Sequence, residues 1–285
     1  MKLPPLNLLL DERIIEKHIM QEWIEKEILI IVKTYPEYSK KYTETVCTAG
    51  ILADSKQLIR LYPLRFRYLN GDSQFSKYQW ITAKIQKNTI DSRKESYSIL
   101  ENSIKMGKKI GTSDEWLERE KWVLSAQNKY SSLEALIAGR EKSRVSLGII
   151  RPKKINGLKI EHKTSEEINE SELKKDSIIR QLDMLEDKKS LDLLPVKFVL
   201  NFVCDDDKCN GHNISILDWE IGELYRKVRL TANWEEKVRT KILKELCGVD
   251  RETYLIMGNM ALHQHIFCIL GFFYPPRRRE QSLFD

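Results

Sequence analysis

The sequence predicts an α+β chain. An N-terminal β-rich region, barrel-like or a curled sheet with helices, precedes a smaller C-terminal α+β unit. Three observations lead there. Short β-branched or alternating runs separated by turn residues follow one another between residues 28 and 87, the pattern of a small barrel or curled sheet. From residue 197 on, a strand, two helices and two strands follow in that order, the pattern of an α+β unit. Of the 285 residues, 41% are hydrophobic, with six Trp, eleven Tyr and eight Phe. That is enough apolar mass for a sizeable core and too much for a disordered chain. The texture divides the chain into a β-rich basic region 1–163, a charged helical linker or arm 164–192, and an α+β unit 193–285 with a Cys/His loop.

The elements follow from local pattern. Residues 11–27 place Ile14, Ile15, Ile19 and Trp23 at helical spacing behind a possible Asp11 cap. Residues 28–32 are a β-branched run suited to a buried strand. Strands at 43–52, 58–63 and 78–87 are separated by Asp54-Ser55-Lys56 and Asn70-Gly71-Asp72 turns. Residues 113–138 read as helical, opened by Ser113 and the acids Asp114 and Glu115 and broken near Asn128. Residues 145–151 form a strand stopped by Pro152, and 153–163 a turn at Gly157 with a second short strand. Residues 164–194 carry helical spacing at Leu173, Ile178, Leu182 and Leu185. Then come a strand at 197–203, helices at 218–228 and 234–246, a strand at 254–257 ended by Gly258-Asn259, and a last strand at 266–274.

Several classes are set aside. No Gly-x-Gly-x-x-Gly or Gly-x4-Gly-Lys-Ser/Thr occurs, so nothing argues for a Rossmann or P-loop nucleotide site. No run of about 18 apolar residues occurs, so no transmembrane helix and no membrane partner are expected. The first ten residues are too short and proline-broken for a signal peptide, and a cytoplasmic location is expected. Five irregularly spaced cysteines do not suggest a disulfide scaffold.

The charge is uneven. Residues 29–112 hold fifteen basic against seven acidic residues, and 151–163 five against one. A basic β-rich region suits a phosphate backbone. Within it, Arg60, Arg65, Arg67 and Tyr68 interleave with apolar and aromatic residues, and Arg93 and Lys94 follow. On a strand, Arg65 and Arg67 would share one side and Phe66 and Tyr68 the other. The arginines would then face phosphates while rings enter the core or stack on bases. Asp91 and Glu95 are spaced carboxylates and outside candidates for a nuclease centre, but no Glu-x-Lys accompanies them, and an internal ion-pair network is the preferred account.

The sharpest local feature is Cys204-Asp205-Asp206-Asp207-Lys208-Cys209-Asn210-Gly211-His212. Thiolate and imidazole are donors zinc prefers, and Gly211 permits the tight turn that would gather them. Cys204, Cys209 and His212 are one ligand short of a closed site, and Cys268 is the candidate fourth. The three aspartates suit a solvated loop. A second cluster, His212, Asp218 and Glu220, could hold a hydrolytic magnesium or manganese ion or act as acid and base; helix capping by Asp218 is the competing account.

The stretches Lys33-Thr34-Tyr35-Pro36, Glu44-Thr45-Val46-Cys47-Thr48-Ala49-Gly50-Ile51, Arg60-Leu61-Tyr62-Pro63 and Asp91-x-Arg93-x-Glu95-Ser96, with the Cys204–His212 loop and Asp218-Trp219-Glu220, form a wider pattern. It resembles an uncharacterised bacterial family of similar length associated with mobile or defence-type genomic islands. The resemblance brings no assigned activity and weighs toward nucleic acid. The expected function is therefore an accessory protein that binds DNA or RNA through its basic surface. The alternative is a metal-dependent hydrolase, above all a nuclease, centred on His212, Asp218 and Glu220. A subunit that binds only protein is the third reading.

Overall fold

The computed structural model describes residues 22–181, 191–261 and 263–278. It shows the expected order, a closed β-region followed by a larger sheet carrying helices. The first sheet contains β1 (Ile24–Lys33), β4 (Thr48–Leu52), β5 (Leu58–Leu61), β6 (Gln79–Lys87), β7 (Ser96–Ile99) and β8 (Lys105–Lys109). Its order is β1-β4-β5-β7-β6-β8, and β1 also pairs with β6, so the first five strands named in that order close into a barrel. A short hairpin, β2 (Glu37–Ser39) with β3 (Thr43–Thr45), stands apart.

The closure explains why Ile28 to Val32 are all fully buried. Successive side chains of a strand point to opposite faces. Ile28 and Ile30 enter the barrel core with Ile59, Leu61, Ile81 and Ile85. Leu29 and Ile31 face outward and pack with Leu147, Ile149, Ile256, Leu270 and Phe273 of the second sheet. A strand covered on both faces must be apolar throughout rather than alternating.

The second sheet runs β11-β12-β13-β15-β14-β10-β9. Its strands are β9 (Lys129–Tyr130), β10 (Leu147–Ile150), β11 (Lys154–His162), β12 (Val196–Val203), β13 (His212–Ile216), β14 (Tyr254–Asn259) and β15 (Phe267–Phe273). One face meets the barrel. The other is covered by α2 (Leu133–Ser143), α4 (Trp219–Val228), and α5 (Trp234–Arg239) with its π-helical continuation Thr240–Leu246, through Leu136, Ile221, Tyr225, Val238 and Ile242. Two further helices are α1 (Leu117–Val123) and α3 (Ser165–Gln181).

Several local expectations change. Residues 11–21 of the expected first helix lie outside the described residues, and Ile24–Glu27 belong to β1, held by pairing with Thr82–Ile85 of β6. The expected turn at Gly157 is a bulge inside one continuous strand, β11, which pairs with β12 along its whole length. β14 runs through Gly258-Asn259 instead of ending before them. Gly258 lets Leu270, Leu147 and the Arg60 guanidinium pack close against the strand; a side chain there would have to displace their ends. Residues 147–162, placed with the N-terminal region by composition, pair in the second sheet. Residues 66–68 form a 3₁₀ turn, not a strand, so the expected two-sided alternation of Arg65, Phe66, Arg67 and Tyr68 does not arise. All five cysteines are free. Among the described residues no helix is long and apolar enough to cross a membrane.

Candidate metal centre

β12 delivers Cys204 at its end, and β13 begins with His212. The loop between them is organised by Asp206. Its Oδ1 accepts the Lys208 N–H at 3.0 Å and its carbonyl accepts the Cys209 N–H at 2.9 Å. Gly211 sits at φ +90°, a conformation that disfavours a side chain. A helix start is docked onto this loop. Ser132 caps α2 by accepting the Ala135 N–H at 3.0 Å, and its hydroxyl donates to Asp206 Oδ2 at 2.6 Å. Glu134, in the first turn of α2, thereby reaches the cysteines.

One donor atom from each of Glu134, Cys204, Cys209 and His212 lies within 4.8 Å of all the others. His212 Nε2 is 3.3 Å from Cys209 Sγ and 3.0 Å from Glu134 Oε1. Bond lengths of about 2.0–2.3 Å around a tetrahedral zinc put its donors about 3.3–3.8 Å apart, so little movement is needed to bind an ion. Both sulfurs accept backbone N–H groups, Cys209 Sγ from Cys204 at 3.1 Å and Cys204 Sγ from Leu133 at 3.4 Å. Such outer bonds orient metal ligands. Glu134 Oε2 is buried without a hydrogen-bond partner. Burial pushes the Cys204 thiol up to about 11, so an ion binding there displaces a proton. This His/Cys/Glu cluster can coordinate a divalent metal ion.

Three of the four expected ligands are present. Cys268 is not among them. It is buried on β15 in the core between the barrel and the second sheet. Glu134 takes the fourth place. It lies seventy residues before Cys204, and its only local signal was a helix start at Ser132. Of the three aspartates, Asp205 and Asp207 are exposed and Asp206 builds the turn.

The set His212, Asp218 and Glu220 is not brought together. His212 opens β13 and Asp218 lies just beyond its far end, about 20 Å away at the rise of a strand. Asp218 caps α4, accepting the N–H groups of Glu220 at 2.7 Å and Ile221 at 3.3 Å. Its Oδ2 faces Lys77 Nζ at 3.6 Å, and Glu220 lies 3.7 Å from the same ammonium. Burial pushes the Asp218 carboxyl up, against the pull of Lys77. Burial works to lower Lys77, but the carboxylates outweigh it and hold it above the usual lysine range.

Asp91 and Glu95 serve internal bonds. Asp91 binds Arg93 through both oxygens and accepts the Ser96 hydroxyl at 2.7 Å. Burial opposes ionisation, but these bonds win and bring Asp91 down to about 2. A carboxyl lowered from 3.8 to about 2 contributes about 2 kcal/mol above pH 4, lost as pH falls through 2. Acid denaturation of Asp91→Asn should therefore lack that part of the wild-type slope between pH 4 and pH 2. An unchanged slope would show the pair to be solvated.

Of the residues expected to meet nucleic acid, Arg60 and Arg93 are buried between the two sheets. Arg65 pairs with Glu101 at 3.8 Å and Arg67 with Glu44 at 3.5 Å. Tyr68 is half-buried near the Arg65 guanidinium, and Lys94 is exposed. Spacing alone could not show which arginines fold inward.

A family model described as Domain of unknown function (DUF8758) matches residues 24–125. Another, described as Domain of unknown function (DUF8757), matches residues 127–285, more than half of the chain. The chain belongs to the DUF8757 family. The DUF8757 match takes in all seven strands of the second sheet and all four residues of the metal cluster, while the DUF8758 match takes in the barrel. No curated protein matches the chain. Among solved structures, a murine DNA-binding protein bound with double-stranded DNA aligns over 90% of this chain and 98% of its own. The identity is 7% and the TM-score 0.29, a likeness that carries no argument about function.

Proposed function

We propose that the protein is a zinc-binding protein whose ion joins the start of α2 to the loop between β12 and β13. The observation that supports this is the convergence of two thiols, one imidazole and one carboxylate from two separate elements, with a carboxylate oxygen left unpartnered. Two sulfurs and a nitrogen favour zinc over magnesium or manganese, which prefer oxygen donors. The purified protein should contain about one zinc per chain by elemental analysis, and Cys209→Ser and His212→Ala should each abolish it. At zinc about 1,000-fold above its dissociation constant, binding contributes about 4 kcal/mol. Chelation should then lower the melting temperature on the order of 10 °C. A metal-free protein whose melting ignores both chelator and added zinc would refute the reading.

Hydrolysis at the same ion is a second reading. Three N/S ligands plus a carboxylate resemble a catalytic set more than a closed structural one. His212 and Glu134 side chains keep 15% and 24% exposure, so solvent reaches them. In this reading Cys204, Cys209 and His212 would hold the ion, the ion would supply an acidified water, Glu134 would be the proton acceptor, and a nucleic-acid phosphodiester would be the substrate class. Glu134→Gln separates the two. If Glu134 is a ligand, zinc affinity falls by more than the roughly 10–100-fold that losing an outer partner of a ligand costs. If Glu134 is a base, zinc stays and metal-dependent cleavage of DNA or RNA disappears.

A further inference from the structure

The geometry points to a second site, a crevice between the barrel and the second sheet that binds a small phosphate monoester. Its narrow end is a cavity of about 140 Å³. Thr34, Cys47, Arg60, Tyr62 and Arg93 line it from the barrel side, from stretches far apart in the chain, and Asn259 from β14.

Arg60 decides the sign of the ligand. It is 2% exposed. Its Nη1 donates to Cys47 Sγ at 2.8 Å and its Nη2 to the Ser146 carbonyl at 3.1 Å. Neither partner is a carboxylate, and Nε has no partner. No carboxylate pairs with Arg60 among the described residues; Glu37 also lines the cavity, but it is exposed and makes no ion pair with Arg60. The carboxylate of Glu95 is bonded to Ser146 and Asn128 instead. Arg93, by contrast, is neutralised by Asp91 at 2.5 Å. A buried guanidinium without a counter-charge is costly, and an oxyanion is its best-matched partner. Asn259 adds an unpartnered buried Oδ1, an acceptor for the proton of a monoester or a ligand hydroxyl.

The crevice does not end there. Glu37, Leu217 and Met260 line both this cavity and a neighbouring one of about 430 Å³. The wider arm is walled by Tyr35, Phe198, Ile216 and Ile221, with Lys163 and Lys197 beside them. It is the size and composition of a small-molecule pocket. The phosphate belongs at Arg60 and a flat heteroaromatic group in the wider arm, whose lining mixes apolar side chains with Ser215, Lys163 and Lys197. A nucleoside monophosphate has that chemistry.

The test is calorimetry and thermal melting of the full chain with inorganic phosphate, a nucleoside monophosphate and succinate. Saturable binding of the nucleotide is expected, with phosphate weaker and succinate weakest. Arg60→Met should weaken both phosphate ligands about tenfold or more, the loss expected for charged hydrogen bonds. Asn259→Asp, which adds a carboxylate on the β14 side of the cavity to the one from Glu37, should do the same and serves if Arg60→Met does not fold. Ser215→Trp, in the wider arm, should remove the advantage of the nucleotide and leave phosphate unchanged. Binding by neither phosphate ligand, or binding that ignores both Arg60→Met and Asn259→Asp, overturns the site. A preference for succinate overturns the phosphate assignment. None of these residues belongs to the zinc cluster, so the outcomes are independent of it.

Discussion

Lys77→Met is expected to cost about 3–5 kcal/mol, the usual penalty for removing one partner of a buried ion pair. Lys77 keeps only 10% of its side chain exposed where the barrel meets α4. Its ammonium donates to the Phe272 carbonyl at 3.0 Å and faces Asp218 Oδ2 at 3.6 Å. Met keeps the length and apolar stem of lysine, so little packing is lost. What remains is a buried carboxylate with its cation gone. Asp218 still caps α4, but two backbone N–H groups do not neutralise it. The double variant Lys77→Met/Asp218→Asn should recover much of the loss, because Asn caps a helix about as well as Asp and carries no charge. Urea unfolding of the four proteins gives the coupling. A single-variant cost below about 1 kcal/mol, the value of an exposed pair, would mean that water reaches the site. The sign with pH follows from Lys77. Its folded value is raised, so its contribution is complete below the usual lysine range and lost only as pH climbs through the folded value.

Glu95→Ala is the second large effect, about 3 kcal/mol or more. Glu95 is fully buried just before β7. Its carboxylate accepts the Ser146 N–H at 2.9 Å, the Ser146 hydroxyl at 2.7 Å and the Asn128 amide at 3.2 Å. Ser146 leads into β10 of the second sheet, so these bonds cross from barrel to sheet. Arg93 crosses beside them, donating to the Asn259 carbonyl at 2.8 Å. Truncation leaves buried donors unpaired, at about 1–3 kcal/mol each, and opens a cavity as well. Glu95→Gln keeps the shape and one acceptor oxygen, enough for both Ser146 groups while the Asn128 bond is lost, and should cost clearly less. Equal losses in the two variants would show that the charge, not the bonds, is what matters. Amide exchange would locate the damage, with protection lost first at Ser146 and along β10.

Elements whose residues carry their own period were legible from the chain. The run Ile28–Val32 is apolar at every position, and no exposed strand tolerates that. The strand at 197–203 and the helix from 218 were equally clear, since a β-branched run and helical spacing are local signals; whether Asp218 caps that helix or serves chemistry was left between two accounts. The Cys204–His212 loop offered three candidate metal donors, because sulfur and imidazole at short spacing can be gathered by one turn, and a pair of cysteines packed beside a turn was the competing account. The fourth ligand was a different matter. Cys268 has the right atom but lies in the core between the sheets, whereas Glu134 is an ordinary helix-start carboxylate until α2 docks on Asp206.

The arginines make the same point from the other side. Composition determined that residues 29–112 are basic, and interleaving with rings suggested an outward surface. Folding instead places Arg60 and Arg93 between two sheets. A guanidinium's sequence neighbours do not reveal whether an opposing sheet will cover it. Periodicity reports which residues share a face. Whether that face meets water or another sheet depends on strands paired across long stretches of chain, as when β1 meets β6 to close the barrel and Leu29 and Ile31 turn to the second sheet. Local chemistry thus specified the strands, the caps and three of four metal donors, while the closure of one layer on the next selected the fourth donor and buried the cation that now calls for an anion.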